Sequence, residues 1–152
     1  RSQAGARTVA AAQFFRAAME TALTPQDCLT EVRFGDWREG RIGTGFQEVS
    51  VRQSDFALSA AAVQVALDRD GACRRIAICV GGVGATPLRV TAAERRLVGT
   101  RLEAHDVAEA GALVHGAVTP LEDHHASPRY RRRVAAALVE RAVAEARAEA
   151  TA

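Results

Sequence analysis

The fold of this chain is decided by one stretch, FALSAAAVQVALDRDGACRRIAICV, which spans residues 56–80. Near its middle lies Asp70-Gly71, a dipeptide typical of a tight turn between two strands. The larger apolar side chains on each side of the turn share one strand face: Val63, Val65 and Leu67 before it, and Ile76, Ile78 and Val80 after it. We therefore predict two antiparallel strands, residues 56–67 and 72–80, joined by this turn.

After this hairpin the pattern changes from strand to helix. Gly81 and Gly82 bend the chain before a third predicted strand, residues 83–89. Three helix starts follow, signalled by Thr91 with Glu94, Asp106 with Glu109, and Ser127 with Pro128. The buried stripe of the last helix is predicted to comprise Tyr130, Val134, Ala137 and Leu138. Strands and helices in separate blocks predict an α+β fold, with an antiparallel three- to four-stranded sheet packed against a three-helix layer.

Composition is typical of a small globular protein. The chain has 152 residues, 25% charged residues and a formal net charge of +2, which argue against a disordered polyelectrolyte. All 20 basic residues are arginine, so mechanisms that need a lysine amine are excluded. The three cysteines lack metal-ligand spacing, and we expect neither a disulfide framework nor a metal site. No apolar run reaches the roughly 18 residues of a membrane span, and we expect a cytoplasmic protein.

Several polar clusters suggest chemistry but have a simpler interpretation. His124 and His125 follow two acidic residues, yet adjacent side chains point apart and make a poor metal site. The four arginines within residues 129–133 favour a solvated face or a subunit contact over nucleic-acid binding, because only one aromatic residue is interleaved. The glycines within residues 81–84 lead to a proline rather than a helix, which favours a turn over a phosphate loop. We predict no catalytic residue.

Five segments carry a resemblance to a known family. In chain order they are RTVAAAQFF (7–15), LTPQDCLTEVR (23–33), FQEVSVRQSDFA (46–57), GGVGATPLR (81–89) and ASPRYR (126–131). Together they resemble the second half of the FAD-binding medium subunit of molybdenum hydroxylases. This is the family of aerobic carbon monoxide dehydrogenase and xanthine dehydrogenase.

This resemblance implies a part in an oxidoreductase complex. In such a complex, substrate is oxidised at a molybdenum cofactor in a large subunit and electrons cross iron–sulfur clusters in a small subunit. The FAD of the medium subunit then passes them to an external acceptor. Residues 1–45 resemble the tail of the FAD-binding domain, and residues 46–152 resemble the CO dehydrogenase flavoprotein C-terminal domain, which covers one side of the flavin. The amino-terminal half, whose glycine-rich loops hold the FAD pyrophosphate, is missing, so we expect these residues alone to be non-catalytic.

The resemblance also implies three flavin-facing positions. Leu29, on a strand predicted over residues 28–34, matches a position against the isoalloxazine ring, although a core leucine fits the same pattern. Gln47 matches a position where some relatives carry a lysine near the flavin, but its amide adds hydrogen bonds and no charge. Asp55 matches an acidic position at the domain junction, where it either touches FAD or orients Arg52 or a backbone amide.

Two other functions fit parts of the sequence. A stand-alone protein-interaction module has the same fold without binding flavin. A nucleic-acid binder would use the arginine run, but the nearly balanced charge argues against it. The partners expected from the resemblance are the large molybdenum subunit, the small iron–sulfur subunit and the amino-terminal FAD-binding half.

Overall fold

The structure, a computed structural model, describes residues 1–52, 54–120 and 122–152. These residues form two compact units, Arg1–Asp36 and Trp37–Ala152. The first unit has little regular structure. It contains one helical turn and a small antiparallel strand pair, namely α1 (Ala11–Phe14), β1 (Phe15–Ala17) and β2 (Glu20–Thr21).

An ion pair braces the first unit. The Arg7 guanidinium donates to the Asp27 carboxylate at 2.8 Å, and the same carboxylate accepts from the backbone N–H of Thr24 at 2.9 Å. These hydrogen bonds, the one from Arg7 foremost, lower the pKa of Asp27 to about 2. Asp27 is therefore ionised at neutral pH.

The strand predicted over residues 28–34 does not form. These residues have no regular structure, and Leu29, Val32 and Phe34 are exposed, Leu29 by 53%. Alternating residues form a stable strand only when a neighbouring strand supplies hydrogen bonds and a layer covers one face. No described strand pairs with this segment. The strand prediction is wrong, and Leu29 is not a core residue.

The second unit is built on a four-stranded antiparallel sheet. Its strands, in both sequence and spatial order, are β3 (Arg41–Ser50), β4 (Ala57–Leu67), β5 (Cys73–Gly81) and β6 (Leu88–Arg89). The predicted hairpin is confirmed, since Val63 lies opposite Ile78 and Val65 opposite Ile76. The third strand was predicted over residues 83–89, but only its last two residues form a strand, β6.

Asp68 holds the turn between β4 and β5. Its carboxylate accepts hydrogen bonds from the backbone N–H groups of Asp70 and Ala72, both at 2.9 Å. Gly71 has a φ of +84°, a left-handed conformation that a side chain would strain. The Asp-Gly turn predicted from the sequence is therefore present.

The sequence analysis missed strand β3, because the glycines between residues 35 and 45 are typical of a loop. In the structure, Gly43 and Gly45 lie so close to the last helix that a Cβ on either would collide with a backbone carbonyl of Ala146 or Ala142. These glycines allow the helix to approach the strand, a use of glycine that resembles a loop in sequence.

The expected domain boundary near residue 45 stays a prediction, and the compact units divide the chain at another place. Position 45 lies inside β3, where Arg41 pairs with Leu67 and Gly45 with Val63 of β4. The chain instead divides into its compact units between Asp36 and Trp37. Strand pairing keeps the residues from Arg41 onward in the second unit.

Three helices follow the sheet, as predicted: α2 (Thr91–Leu97), α3 (Ala104–Ala117) and α4 (Pro128–Thr151). The predicted start of α4 is confirmed. Ser127 Oγ accepts a hydrogen bond from the backbone N–H of Tyr130 at 3.3 Å, and Pro128 is the first helical residue.

The starts of the two shorter helices differ in detail from the prediction. The capping box of α3 pairs Glu103 with Asp106, so the helix begins earlier than the predicted Asp106 signal. The capping box predicted at Thr91 is wrong. The Glu94 carboxylate that would complete it accepts instead from the backbone N–H of Ile78 on β5, at 2.9 Å.

The buried stripe of α4 is also different from the predicted one. Its members recur every three or four residues, and they are Arg131, Ala135, Leu138, Val139, Ala142, Val143, Ala146 and Ala150. Ala137 is exposed, whereas Tyr130 and Val134 are half-buried. The predicted stripe starts at Tyr130, one residue too early, because Arg131 was expected to lie outside the core.

The hydrophobic core lies between the helices and one face of the sheet. Helix α4 packs on β3 and β4, α2 packs on β5, and α3 packs on both of these helices. Fully buried side chains in this layer include Val65, Leu67, Ile78, Val80, Leu97, Val114, Val139 and Val143. The predicted α+β arrangement is confirmed. Across the described residues, no helix has both the length and the apolar character that a membrane crossing requires.

Candidate functional site

The sheet face that points away from the helices is uncovered within the second unit. Side chains alternate along each strand, so every second residue of β3, β4 and β5 lies on this side. A cavity of about 810 Å³ lies over it. We call this surface the open face and define it by the lining residues Thr44, Phe46, Ala62, Gln64, Ala77, Cys79 and Arg89.

The open face presents one aromatic side chain among small and polar ones. Phe46 is 58% exposed and stands beside the small side chain of Ala62, its partner on β4. Cys79 is the one nucleophile among the defining residues, but burial raises the pKa of its thiol, which is therefore protonated at neutral pH. The remaining polar members can hydrogen-bond a bound group, but they do not exchange protons near neutral pH.

Arg89 forms a fixed rim of the open face. Its guanidinium donates to the Glu94 carboxylate with Nε at 2.7 Å and Nη2 at 3.2 Å. Glu94 is buried, and it is held in turn by the backbone N–H of Ile78. This chain of contacts joins β6, α2 and β5, so the arginine is positioned before any partner arrives.

Gln47, one of the three predicted flavin-facing residues, lies on β3 but on the side of the sheet that faces α4. Its Nε2 donates to the Glu145 carboxylate of α4 at 2.9 Å. Gln47 lies two residues beyond Gly45, on the face of β3 that approaches α4. Its side chain is therefore not part of the open face.

Asp55 and Leu29 occupy different settings. Asp55 lies in the connection between β3 and β4, where Oδ2 accepts from Arg52 Nε at 3.1 Å and Oδ1 accepts from the backbone N–H of Phe56 at 2.8 Å. Both oxygens of the Asp55 carboxylate are thus engaged within this connection. Leu29 belongs to the first unit, with its side chain exposed. Gln47 and Asp55 belong to the second unit.

The sequence analysis missed the role of Arg131, which it assigned to a solvated face or a subunit contact. The residue is only 7% exposed. Its Nη1 donates to the backbone carbonyls of Leu58 and Gly82, the latter at 3.0 Å, and its Nη2 donates to Asp123 Oδ2 at 2.6 Å. The hydrogen bond from Arg131 is the main reason that the pKa of Asp123 falls to about 2. The alanine and leucine at positions 135 and 138 are the sequence signal that puts Arg131 on the buried stripe.

We call the hydrogen bonds of Arg131 to Leu58, Gly82 and Asp123 the Arg131 clamp. Gly82, which follows β5, is part of it. Gly82 has a φ of +72°, and a Cβ there would lie 2.6 Å from the Leu58 carbonyl oxygen. Glycine therefore permits a close backbone approach at this point, as the turn interpretation predicted. The backbone carbonyl of Gly82 points to the Arg131 guanidinium.

Within the described ranges, no group of three or more histidine, cysteine, aspartate or glutamate side chains could hold a metal ion. The side chains of His124 and His125 do not point apart as expected, since their ring centroids lie 3.8 Å from each other. The neighbouring Asp123 is engaged by Arg131.

The second unit is a four-stranded antiparallel sheet with three helices on one side and an open face on the other. Residues 44–146 match the family described as the CO dehydrogenase flavoprotein C-terminal domain. The chain belongs to this family, and the resemblance seen in the sequence is confirmed.

Named relatives are subunits of dehydrogenase complexes. Subunit alpha of the 6-hydroxypseudooxynicotine dehydrogenase complex of Paenarthrobacter nicotinovorans is 35% identical, over 83% of this chain and 42% of that protein. The carbon monoxide dehydrogenase medium chain of Afipia carboxidovorans is 33% identical, over 96% of this chain and 50% of that protein.

A solved structure gives the same picture. A chain of reconstituted CO dehydrogenase from Oligotropha carboxidovorans matches with a TM-score of 0.89 and 32% identity, over 97% of this chain and 51% of that chain. This protein therefore spans about half the length of the relatives it matches.

Proposed function

We propose that this chain forms the carboxy-terminal half of the FAD-binding medium subunit of a molybdenum hydroxylase, and that its open face packs against the flavin-binding half. The complete subunit takes electrons from iron–sulfur clusters in a small subunit and passes them through FAD to an external acceptor. A large subunit holds the molybdenum cofactor and oxidises the substrate. The observation that carries the proposal is an uncovered sheet face in a chain half as long as its relatives.

The character of the open face supports a packing role. Phe46 offers a large aromatic contact, and the small side chains of Ala62, Ala77 and Cys79 leave room for a partner beside it. Aromatic residues at the centre of a surface contribute strongly to binding when they are covered.

Under this proposal the chain contacts the ring end of FAD and not its pyrophosphate. Two phosphate charges need preorganised backbone N–H donors or cations. The glycine turn at Gly82 instead presents a carbonyl oxygen, which Arg131 holds. The proposal therefore assigns the pyrophosphate to the amino-terminal half, and we expect the chain alone to hold no FAD.

The three candidate positions receive different roles under this proposal. Leu29 is exposed and apolar, which fits a contact with the flavin ring. The side chain of Gln47 is engaged by Glu145, which supports a role in positioning β3 against α4. Asp55 is engaged by Arg52 and by a backbone N–H, which supports a role in orienting the connection from β3 to β4.

The test is a chimaera in which these 152 residues replace the matching half of the Afipia carboxidovorans medium chain. FAD is titrated against the chimaera, the chain alone and the remaining half of the relative, with flavin fluorescence as the readout. We expect micromolar or tighter binding by the chimaera and none by the chain alone. Micromolar binding by the chain alone would place the cofactor site in the carboxy-terminal half and contradict the proposal.

The same titration distinguishes the proposed function from the alternative one. A stand-alone interaction module that does not serve a flavin predicts a folded chimaera without FAD. Circular dichroism of the chimaera establishes folding in each case. A folded chimaera that binds no FAD, while the parent medium chain does, contradicts the proposed function and favours the module.

A further inference from the structure

The strand β3 forms one edge of the sheet. Its one strand neighbour in the described part of the chain is β4, so its outer backbone groups have no strand partner. Such an edge is a template on which another extended chain can pair. Strand β3 is ten residues long, which makes this edge a substantial one.

Two carboxylates of α4 occupy two of the outer N–H groups of β3. The Thr44 N–H donates to Glu149 Oε2, and the Thr44 hydroxyl donates to the same oxygen at 2.7 Å. The Phe46 N–H donates to Glu145 Oε2 at 3.2 Å, and Gln47 Nε2 donates to that oxygen at 2.9 Å. The Thr44 hydrogen bonds lower the pKa of Glu149, which keeps its carboxylate ionised.

The spacing of the two elements explains why both contacts form together. Two residues along a strand span roughly 6.6 Å, and four residues along a helix span roughly 6 Å. The donors Thr44 and Phe46 are two residues apart, whereas the acceptors Glu145 and Glu149 are four apart. The distance between the two acceptors on α4 is therefore close to the distance between the corresponding acceptors on a neighbouring strand.

We infer that the outer edge of β3 is a pairing site for the β3 strand of a second copy of this chain, and that Glu145 and Glu149 keep this site closed. The register argues for a second copy. With Gly45 on a twofold axis, Thr44 of each copy lies opposite Phe46 of the other, and the pair exchanges N–H and C=O groups. The two N–H groups that the carboxylates cover are the ones nearest the axis of this pairing.

The experiment compares Glu145→Ala/Glu149→Ala with Glu145→Gln/Glu149→Gln in the 152-residue chain. The glutamine pair keeps an acceptor oxygen at each position and is the matched control. Mass is measured by light scattering across a range of concentrations. We expect the alanine variant to become a dimer, while the wild type and the glutamine variant remain monomers.

Three results would overturn the inference. The first is an alanine variant that is folded by circular dichroism and remains a monomer. The second is a glutamine variant that also dimerises, which would assign the effect to charge rather than to the covered N–H groups. The third is a wild-type chain that already pairs through β3.

A single substitution covers the case in which the double alanine variant does not fold. Glu149→Ala frees the N–H and the hydroxyl of Thr44 and leaves the Glu145 contacts in place. A peptide of residues 41–50 is titrated against this variant and the wild type. We expect roughly tenfold tighter binding to the variant, the equivalent of one or two net hydrogen bonds. Equal affinities would overturn the inference.

Discussion

The two faces of the sheet are made from alternate residues of the same strands, yet they have opposite physical characters. On the helix side, Val65 and Ile78 have no accessible surface, and Gly45 lets α4 approach β3 closely. On the open side, Phe46 is largely exposed and a wide cavity lies over the strands. The difference indicates that the helix side supplies the stability of the second unit, whereas the open side is available for recognition.

The largest effect is expected from neighbouring residues of β5 that point to opposite faces. Ile78→Ala removes a fully buried side chain and should lower the free energy of unfolding by about 2–5 kcal/mol. Cys79→Ala, on the open face, should change it by less than about 1 kcal/mol. Urea denaturation followed by circular dichroism measures both. Equal losses would mean that the two faces contribute alike to stability.

A smaller effect is expected from one added methyl group on each face. Gly45→Ala drives a Cβ into the backbone of Ala142 and should cost about 1–3 kcal/mol of unfolding free energy. Gly81→Ala is the matched control, because its Cβ would lie an ordinary 3.9 Å from the Cβ of Ala60. The control should fall within about 0.5 kcal/mol of the wild type. An unchanged unfolding free energy for Gly45→Ala in the same urea experiment would show that α4 does not lie in tight contact with β3.

The smallest effect concerns acid stability, which depends on the clamp made by Arg131, a residue of the buried stripe of α4. The pKa of Asp123 is about 2 in the folded chain and 3.8 ordinarily, so its ion pair stabilises the fold fully above pH 4. This stabilisation is lost as the pH falls from about 4 to about 2. Asp123 is partly exposed, which limits the size of the effect.

The Asp123→Asn variant tests this clamp. Unfolding free energies of wild type and variant are measured from pH 6 down to the acid transition. We expect the difference between them to shrink as the pH falls, because protonation removes the wild-type advantage. A difference that stays constant with pH would show that the Asp123 charge contributes nothing to the clamp.

Sequence patterns could predict the elements whose partners lie nearby in the chain. The hairpin of β4 and β5 was predictable because each strand meets its partner across a connection of five residues, 68–72. The same alternation over residues 28–34 predicted a strand that does not exist, since no strand pairs with it. Alternation alone therefore cannot identify a strand.

Features that depend on distant contacts were harder to predict. The glycines of β3 make sense only once α4 lies against them, more than ninety residues later in the chain. Arg131 looked like a surface charge because its acceptors, the carbonyls of Leu58 and Gly82, are backbone atoms far away in sequence. The open face could not be foreseen from strand patterns either, because alternation does not say which face remains uncovered.

The central claim, that the open face is covered in the complete subunit, is tested most directly by the reactivity of Cys79. Alkylation is followed by mass spectrometry in mildly alkaline buffer, in the 152-residue chain and in the medium-chain chimaera. Cys73, which is buried and has a pKa raised to about 11, is the unreactive internal control. We expect Cys79 to react in the chain alone and to react at least about tenfold more slowly in the chimaera, because the partner half excludes the reagent. Equal rates in the two proteins would contradict the claim.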